Sequence, residues 1–436
     1  MSSAYKELGV SAKKEAVHAA TKNNDKGLFP NAFCKINRLP ESIAPGWVRI
    51  SHADGAGTKT ALAYMYWRET GDMSVWHGVV QDSIVMNLDD IACVGGVRGH
   101  LSLASSINRN PFNIPDEVVA ALIEGENRFL DKMARWGIHI EGQVGETADV
   151  PDLTPTVVID NTMECIMQEK DVIDNGNIAE DDLVVGLASY GKAAYEDSYN
   201  GGMRSNGLTL ARHGVLSTEY RAKYPETFHG GYGLKFYNDI DRINTGWVHP
   251  AINQLQVKLD QYTSTVDKGI GNKAYRGTKK LTETIETESG YRTSVGKLIL
   301  SPTRTYAPLI NAVMKVWPLR KSISGIVHNS GGGMTKCLNY LARPMTVVKD
   351  DLIQTPTLFE MIQGEANVDW KEMYQVFNMG VGMEIYVKGY EAAEGIVDTA
   401  SKFGIKAKII GYVEKAQDGK SMVHIASRHG KFDYTK

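Results

Sequence analysis

Apolar and polar positions divide the chain into a run of short elements. "WVRISH" (47–52) has the pattern of a strand, and "TALAYMYWRE" (60–69), rich in alanine and leucine, that of a helix, with the loop "HADGAGTKT" joining them. In "VVQDSIVMNLDDIACVGG" (79–96), Val79, Val80, Ile84, Met86, Leu88 and Ile91 fit a largely buried helix ended by Gly95 and Gly96. "DEVVAALIEGENRFLDKMARWG" (116–137) is amphipathic with a period near 3.6 and predicts a helix between Pro115 and Gly137. "IHIEGQVGETADVP" reads as a strand entering a turn, and the β-branched "TPTVVIDNTMECIM" as a strand. After the polar "QEKDVIDNGNIAEDD", strand character returns at "LVVGLAS" (183–189). "KLILSPTRTYAPLINAVMKVW" predicts a strand or turn and then a helix. "SISGIVHNSGGGMTKCLNYL" predicts strand, glycine loop and helix, and residues 381–415 strand, helix and strand.

A chain of 436 residues favours two domains. The polar seam places them at 1–172 and 173–436, with an insertion near 217–297 where sustained apolar patterns lapse. A net charge of -3 offers no footprint for nucleic acid, and no apolar run approaches the roughly 20 residues of a membrane span. Cys34, Cys93, Cys165 and Cys337 are scattered, with neither a C-x-x-C pair nor a disulfide framework. These features predict a cytoplasmic protein with reduced thiols.

The loop at 52–60 carries the first candidate chemistry. Gly55 and Gly57 allow close backbone approach, a helix starting near Thr58 adds partial positive charge, and Lys59 adds a full one. Such a turn suits phosphate oxygens, although its spacing fails the P-loop pattern. Asp54 would repel a phosphate unless a cation such as Mg2+ lay between them; the plainer alternative makes Asp54 a helix cap and leaves Lys59 in solvent. On the next helix Asp82 and Asp89 share a face, with Asp90 one step round, and buried carboxylates there need compensating charge. Alternatively, Asp82 caps the helix and Asp89 and Asp90 face water. Glu146 and Asp149 add two acids beside a glycine. "GGMRSNGLTLAR", with Arg204, Ser205 and Asn206, and "HNSGGGMTK", with Gly331, Gly332 and Gly333, are further places for a phosphate, and His328 beside the triplet reads as a packed or solvated histidine.

In order, "AYKELGV", "DGAGTK", "QDSIVMNLDDI", "GETADVP", "RSNGLTLAR", "SPTRTY", "GGGM" and "EMYQVFNMGVGM" span nearly the whole chain. This series resembles the phosphoribosylformylglycinamidine cyclo-ligase (aminoimidazole ribonucleotide synthetase) family. The resemblance implies a two-domain α+β fold whose N-terminal sheet forms a barrel across a homodimer interface. It also implies ATP-dependent closure of the imidazole ring of a ribonucleotide in purine biosynthesis. In that scheme Asp54, Gly55, Gly57, Thr58 and Lys59 hold ATP and metal, and Asp82, Asp89 and Asp90 complete a Mg2+ environment. Arg204, Ser205, Asn206 and the glycines 331–333 receive the ribonucleotide, and Lys59 and Arg204 are the catalytic pair. The chain departs from the family pattern in having Arg204 for a usual histidine, Asp89-Asp90 for asparagine-aspartate, Val144 for a glycine, a longer 217–297 region, and "LFPNAFCKI" where a glycine-rich loop is expected. A paralogue that binds nucleotide without turnover is the alternative.

Overall fold

The computed structural model describes residues 4–10, 15–229 and 273–436. Two sheets organise them. The first contains β1 (Asn37–Arg38), β2 (Trp47–Gly55), β3 (His100–Arg109), β4 (Ile140–Gly142), β5 (Glu146–Asp149) and β6 (Val157–Gln168). Its order is β1-β2-β6-β3-β4, with β5 also on β3; β2, β6 and β3 pair antiparallel, while β4 and β5 run parallel to β3. Along β6 buried and exposed residues alternate from Val157, because its inner face packs on helices while its outer face is open. The sheet is open within this chain.

The covering helices are Lys59–Thr70, Ser74–Ala92 and Asp116–Arg135. Ser74–Ala92 is buried almost all round, which explains its weak amphipathicity. Asp116–Arg135 lies close against it at Gly125, where a Cβ would stand 2.7 Å from the His77 Cα.

The second sheet begins with β7 (Asp182–Ala188). A separate hairpin, β8 (Thr284–Glu286) and β9 (Arg292–Ser294), precedes β10 (Ile323–His328), β11 (Met345–Lys349), β12 (Val381–Lys388), β13 (Ala407–Lys415), β14 (Met422–Ser427) and β15 (Gly430–Thr435). The large sheet has the order β10-β12-β7-β13-β11-β14-β15, all neighbours antiparallel except β11 and β14. Helix Tyr390–Lys402 packs on β7, β12 and β13 through an apolar stripe, and Ala307–Lys315, buried on nearly all sides, lies between it and the helix Ser74–Ala92.

Several expectations change. The strand β2 continues to Gly55, so the loop shrinks to Ala56–Thr58 before a helix that starts at Lys59. "KLIL" belongs to a short helix, Val295–Ile299, and residues 301–306 have no regular structure. The triplet leads into a 3-10 helix, Gly333–Asn339. Within the expected insertion, residues 230–272 lie outside the described residues. All four cysteines are free and buried, and among the described residues no helix is long and apolar enough to cross a membrane.

Candidate active site

The polar centre is built on the helix Ser74–Ala92. Asp82 and Asp89, seven residues apart, both face the segment 301–306, and its donors cap them in register. Asp82 accepts from the Thr303 amide at 2.7 Å and from its hydroxyl; Asp89 accepts from Thr305 Oγ1 at 2.6 Å and the Tyr306 amide at 3.0 Å. Each acid also has its own cation. Lys59 Nζ lies 2.7 Å from Asp82 Oδ1, both side chains fully buried, and Arg204 Nη2 lies 3.2 Å from Asp89 Oδ2. Burial pushes Asp82 up and Lys59 down, with their mutual attraction opposing both shifts, and it pushes Asp89 up against the pull of the Arg204 charge.

Asp90 points the other way, to two histidines. His328 Nδ1 lies 2.5 Å from Asp90 Oδ1 and His52 Nε2 lies 3.2 Å from Oδ2. Burial lowers His52, but its hydrogen bond and charge pairing with Asp90 outweigh that and raise it to about 9. Burial and the Arg204 charge together hold His328 low. His328 is therefore neutral: its Nδ1–H donates to Asp90 while Nε2 accepts from Arg204 Nη2. Despite the cost of burial, the two histidines hold Asp90 far below the usual carboxylate range.

Three turns meet above this centre. A Cβ on Gly57 would stand 3.9 Å from the Ser205 carbonyl, and one on Gly331 3.0 Å from Asn206 Oδ1. Thr58 Oγ1 and Thr209 Oγ1 are 3.3 Å apart. The turn 56–58, the Arg204-Ser205-Asn206 segment and the glycine triplet thus border one place. Arg204 is 2 % exposed, yet its Nε and Nη1 have no hydrogen-bond partner, and neither has the Ser205 hydroxyl. Such buried donors are costly unless an acceptor joins them.

The structure treats the expected residues unequally. Gly57 and Thr58 are exposed on the turn, and Gly57 has φ +58°. Gly55 is instead a residue of β2 opposite Asp160 on β6, and the strand backbone excludes a side chain there, since a Cβ would fall 2.6 Å from the Ile159 carbonyl oxygen. Asp54 is also on β2, exposed, and its carboxylate accepts from the Gly55 amide at 2.7 Å; it is not a helix cap. Lys59 does not stand on the open face of the turn, because its ammonium is drawn inward to Asp82 and the Ser301 carbonyl. Of the four acids expected around Mg2+, Asp82 is paired with Lys59, Asp89 with Arg204, and Asp90 with His52 and His328, while Asp54 stands on β2; among the described residues no group of three side chains has an arrangement that could hold a metal ion.

Sequence reasoning missed His52, gave the "SPTRTY" motif (301–306) no physical role for its donors, and left His328 as a packed or solvated histidine. It also left "EMYQVFNMGVGM" without a physical role, which the contacts now supply. Glu372 accepts the Ala4 and Tyr5 amides; Asn378 Nδ2 donates to the Gly202 carbonyl; at Gly382 a Cβ would lie 2.2 Å from Tyr306 Oη and 2.7 Å from Arg204 Nη1. The Gly382 end of the string lies directly against Arg204. "LFPNAFCKI" also reaches the site, with Phe33 stacked on Tyr340 and its ring centroid 6.4 Å from that of His328.

Fold and site together define a two-domain mixed α/β protein whose glycine-bearing turns converge over paired buried charges. The family model "AIR synthase related protein, N-terminal domain" matches residues 35–163, and "AIR synthase related protein, C-terminal domain" matches 265–424. With both matched in order over well more than half of its length, the chain belongs to the AIR synthase related family. Similar curated proteins include the phosphoribosylformylglycinamidine cyclo-ligases of Brevibacillus brevis, 22 % identical over 96 % of this chain and 97 % of that one, and of Methanococcus vannielii, 24 % identical over 83 % and 76 %. Among solved structures, thiamine monophosphate kinase from Aquifex aeolicus is similar at 11 % identity and a TM-score of 0.45, covering 96 % of this chain and 99 % of that one.

Proposed function

We propose that this chain is an ATP-dependent cyclo-ligase that converts formylglycinamidine ribonucleotide to aminoimidazole ribonucleotide, with ADP and phosphate as co-products. The carrying observation is the pair of unpartnered donors on buried Arg204, beside Ser205, Asn206 and Gly331. A phosphate or a developing oxyanion reaching them would supply the acceptors that the protein itself does not. In the reaction the formyl-amide oxygen takes the γ-phosphoryl group and ADP leaves; an internal nitrogen then attacks the activated carbon, and the carbon–oxygen bond breaks to release phosphate. The chain's part is alignment and charge neutralisation.

On this reading Gly57 and Thr58 present backbone to the triphosphate, and Arg204, Ser205, Asn206 and the triplet 331–333 receive the ribonucleotide. Arg204 is held by Asp89 and by neutral His328, which Asp90 orients. Lys59 acts through Asp82 and the 301–303 segment rather than on a phosphate. Magnesium would arrive with ATP, since the carboxylates here do not fit a preformed cage, and no step is assigned to it. The proposal includes a cytoplasmic homodimer in which the open face of the first sheet meets a second copy to close a barrel.

The test supplies purified protein with formylglycinamidine ribonucleotide, ATP and Mg2+, and follows ADP and the aminoimidazole product. No product from a folded protein rejects the reading. The sequestered Lys59 favours one alternative, a protein that binds without turnover; tight ATP binding in a calorimeter with background ADP release would identify it.

A further inference from the structure

Beneath the glycine triplet lies an ion pair that the proposed reaction does not use. Lys349 at the end of β11 and Glu384 in β12 are both fully buried, with Nζ 2.5 Å from Oε1. Strands β7 and β13 lie between β11 and β12 in the sheet, so strand pairing does not bring the two together. The residue opposite Glu384 on β7 is Gly186, and the residue opposite Lys349 on β13 is Gly411. At both positions the strand lying between the two charges carries no side chain to stand between them.

Stability is a weak reason for such a pair, because desolvation offsets the attraction and apolar replacements of similar volume are often no less stable. Its other hydrogen bonds point elsewhere. Glu384 Oε1 also accepts from Asn329 Nδ2 at 2.9 Å, Oε2 accepts from Tyr386 Oη at 2.8 Å, and Lys349 Nζ also donates to the Met334 carbonyl at 2.6 Å. Asn329 directly precedes the turn Ser330–Gly333, and Met334 directly follows it. The turn closes on itself through the Gly333 amide and the Ser330 carbonyl at 3.0 Å, and its outer edge meets Asn206 at Gly331.

We propose that Lys349 and Glu384 are positioning residues: the pair fastens both ends of the Ser330–Gly333 turn and so sets the shape of the surface that receives the phosphorylated substrate. The identity of that substrate rests on the cyclo-ligase reading; the fastening of the turn does not. The test uses the full chain with Lys349→Met and Glu384→Leu together, which leaves no orphaned charge. Amide deuterium exchange of residues 330–335 should quicken about tenfold or more while that of the helix 116–135 is unchanged. KM for formylglycinamidine ribonucleotide should rise about tenfold with kcat and the KM for ATP little changed.

Unchanged exchange at 330–335, or faster exchange with an unchanged ribonucleotide KM, overturns the proposal. If the unaltered protein makes no product, the cyclo-ligase reading falls by itself and the exchange alone decides the fastening. Should the double variant fail to fold, Asn329→Ser, which releases one end of the turn, is measured in the same way.

Discussion

Replacing Lys59 with methionine tests the electrostatic account of the site. The ammonium lies 2.7 Å from Asp82 Oδ1, both side chains are completely buried, and Asp82 Oδ2 has no hydrogen-bond partner. Removing one member of a buried pair costs about 3–5 kcal/mol. Asp82 keeps the Thr303 amide and hydroxyl as donors, which places the expected loss at the lower end, about 3 kcal/mol. The loss should depend on pH in a defined sense. Burial already raises Asp82 against the pull of Lys59, and without Lys59 it rises further. A carboxyl whose folded pKa exceeds its unfolded value near 3.9 favours the folded state most in acid and loses that contribution as pH climbs through the folded pKa. The variant should therefore lie closest to the parent in stability near pH 4 and fall progressively behind as pH rises to 8, measured by urea unfolding with tryptophan fluorescence. Lys59→Met with Asp82→Leu should recover to within about 1 kcal/mol of the parent. A single-variant loss under about 1 kcal/mol at pH 8, a loss independent of pH, or a double variant no better than the single would refute the reasoning.

Gly382→Ala places a methyl against Tyr306 Oη and Arg204 Nη1, and steady-state kinetics should show kcat/KM down about a hundredfold; a normal rate would mean Arg204 tolerates displacement. Arg204→Lys keeps the charge but loses the planar fork, and should lower kcat/KM about tenfold or more; parity with the parent removes Arg204 from substrate binding. His52 is raised to about 9 by Asp90, so its stabilisation is present below its unfolded pKa near 6.5 and lost as pH rises through about 9. The thermal-stability gap between the parent and His52→Gln should accordingly be widest near pH 6 and closed by about pH 10, and a flat gap contradicts the Asp90 pairing.

Local pattern was enough for most elements. The helices 74–92 and 116–135 and the strands β2, β6, β7, β10, β12 and β13 follow from apolar spacing, β-branched runs and terminal glycines. The strand β3 and the hairpin β14–β15 were not read: β3 mixes serines with its apolar positions, and the hairpin's burial is set by neighbours across the sheet. The sequence alone determined that Asp82 and Asp89 share a helix face and that this face needs compensating charge. Only tertiary structure decided who compensates whom. Arg204 is 115 residues from Asp89, His328 is 238 from Asp90, and Thr303 is 221 from Asp82. Helical periodicity fixes directions over a few residues, whereas the charge state of a buried group depends on whatever the whole fold brings within hydrogen-bonding reach.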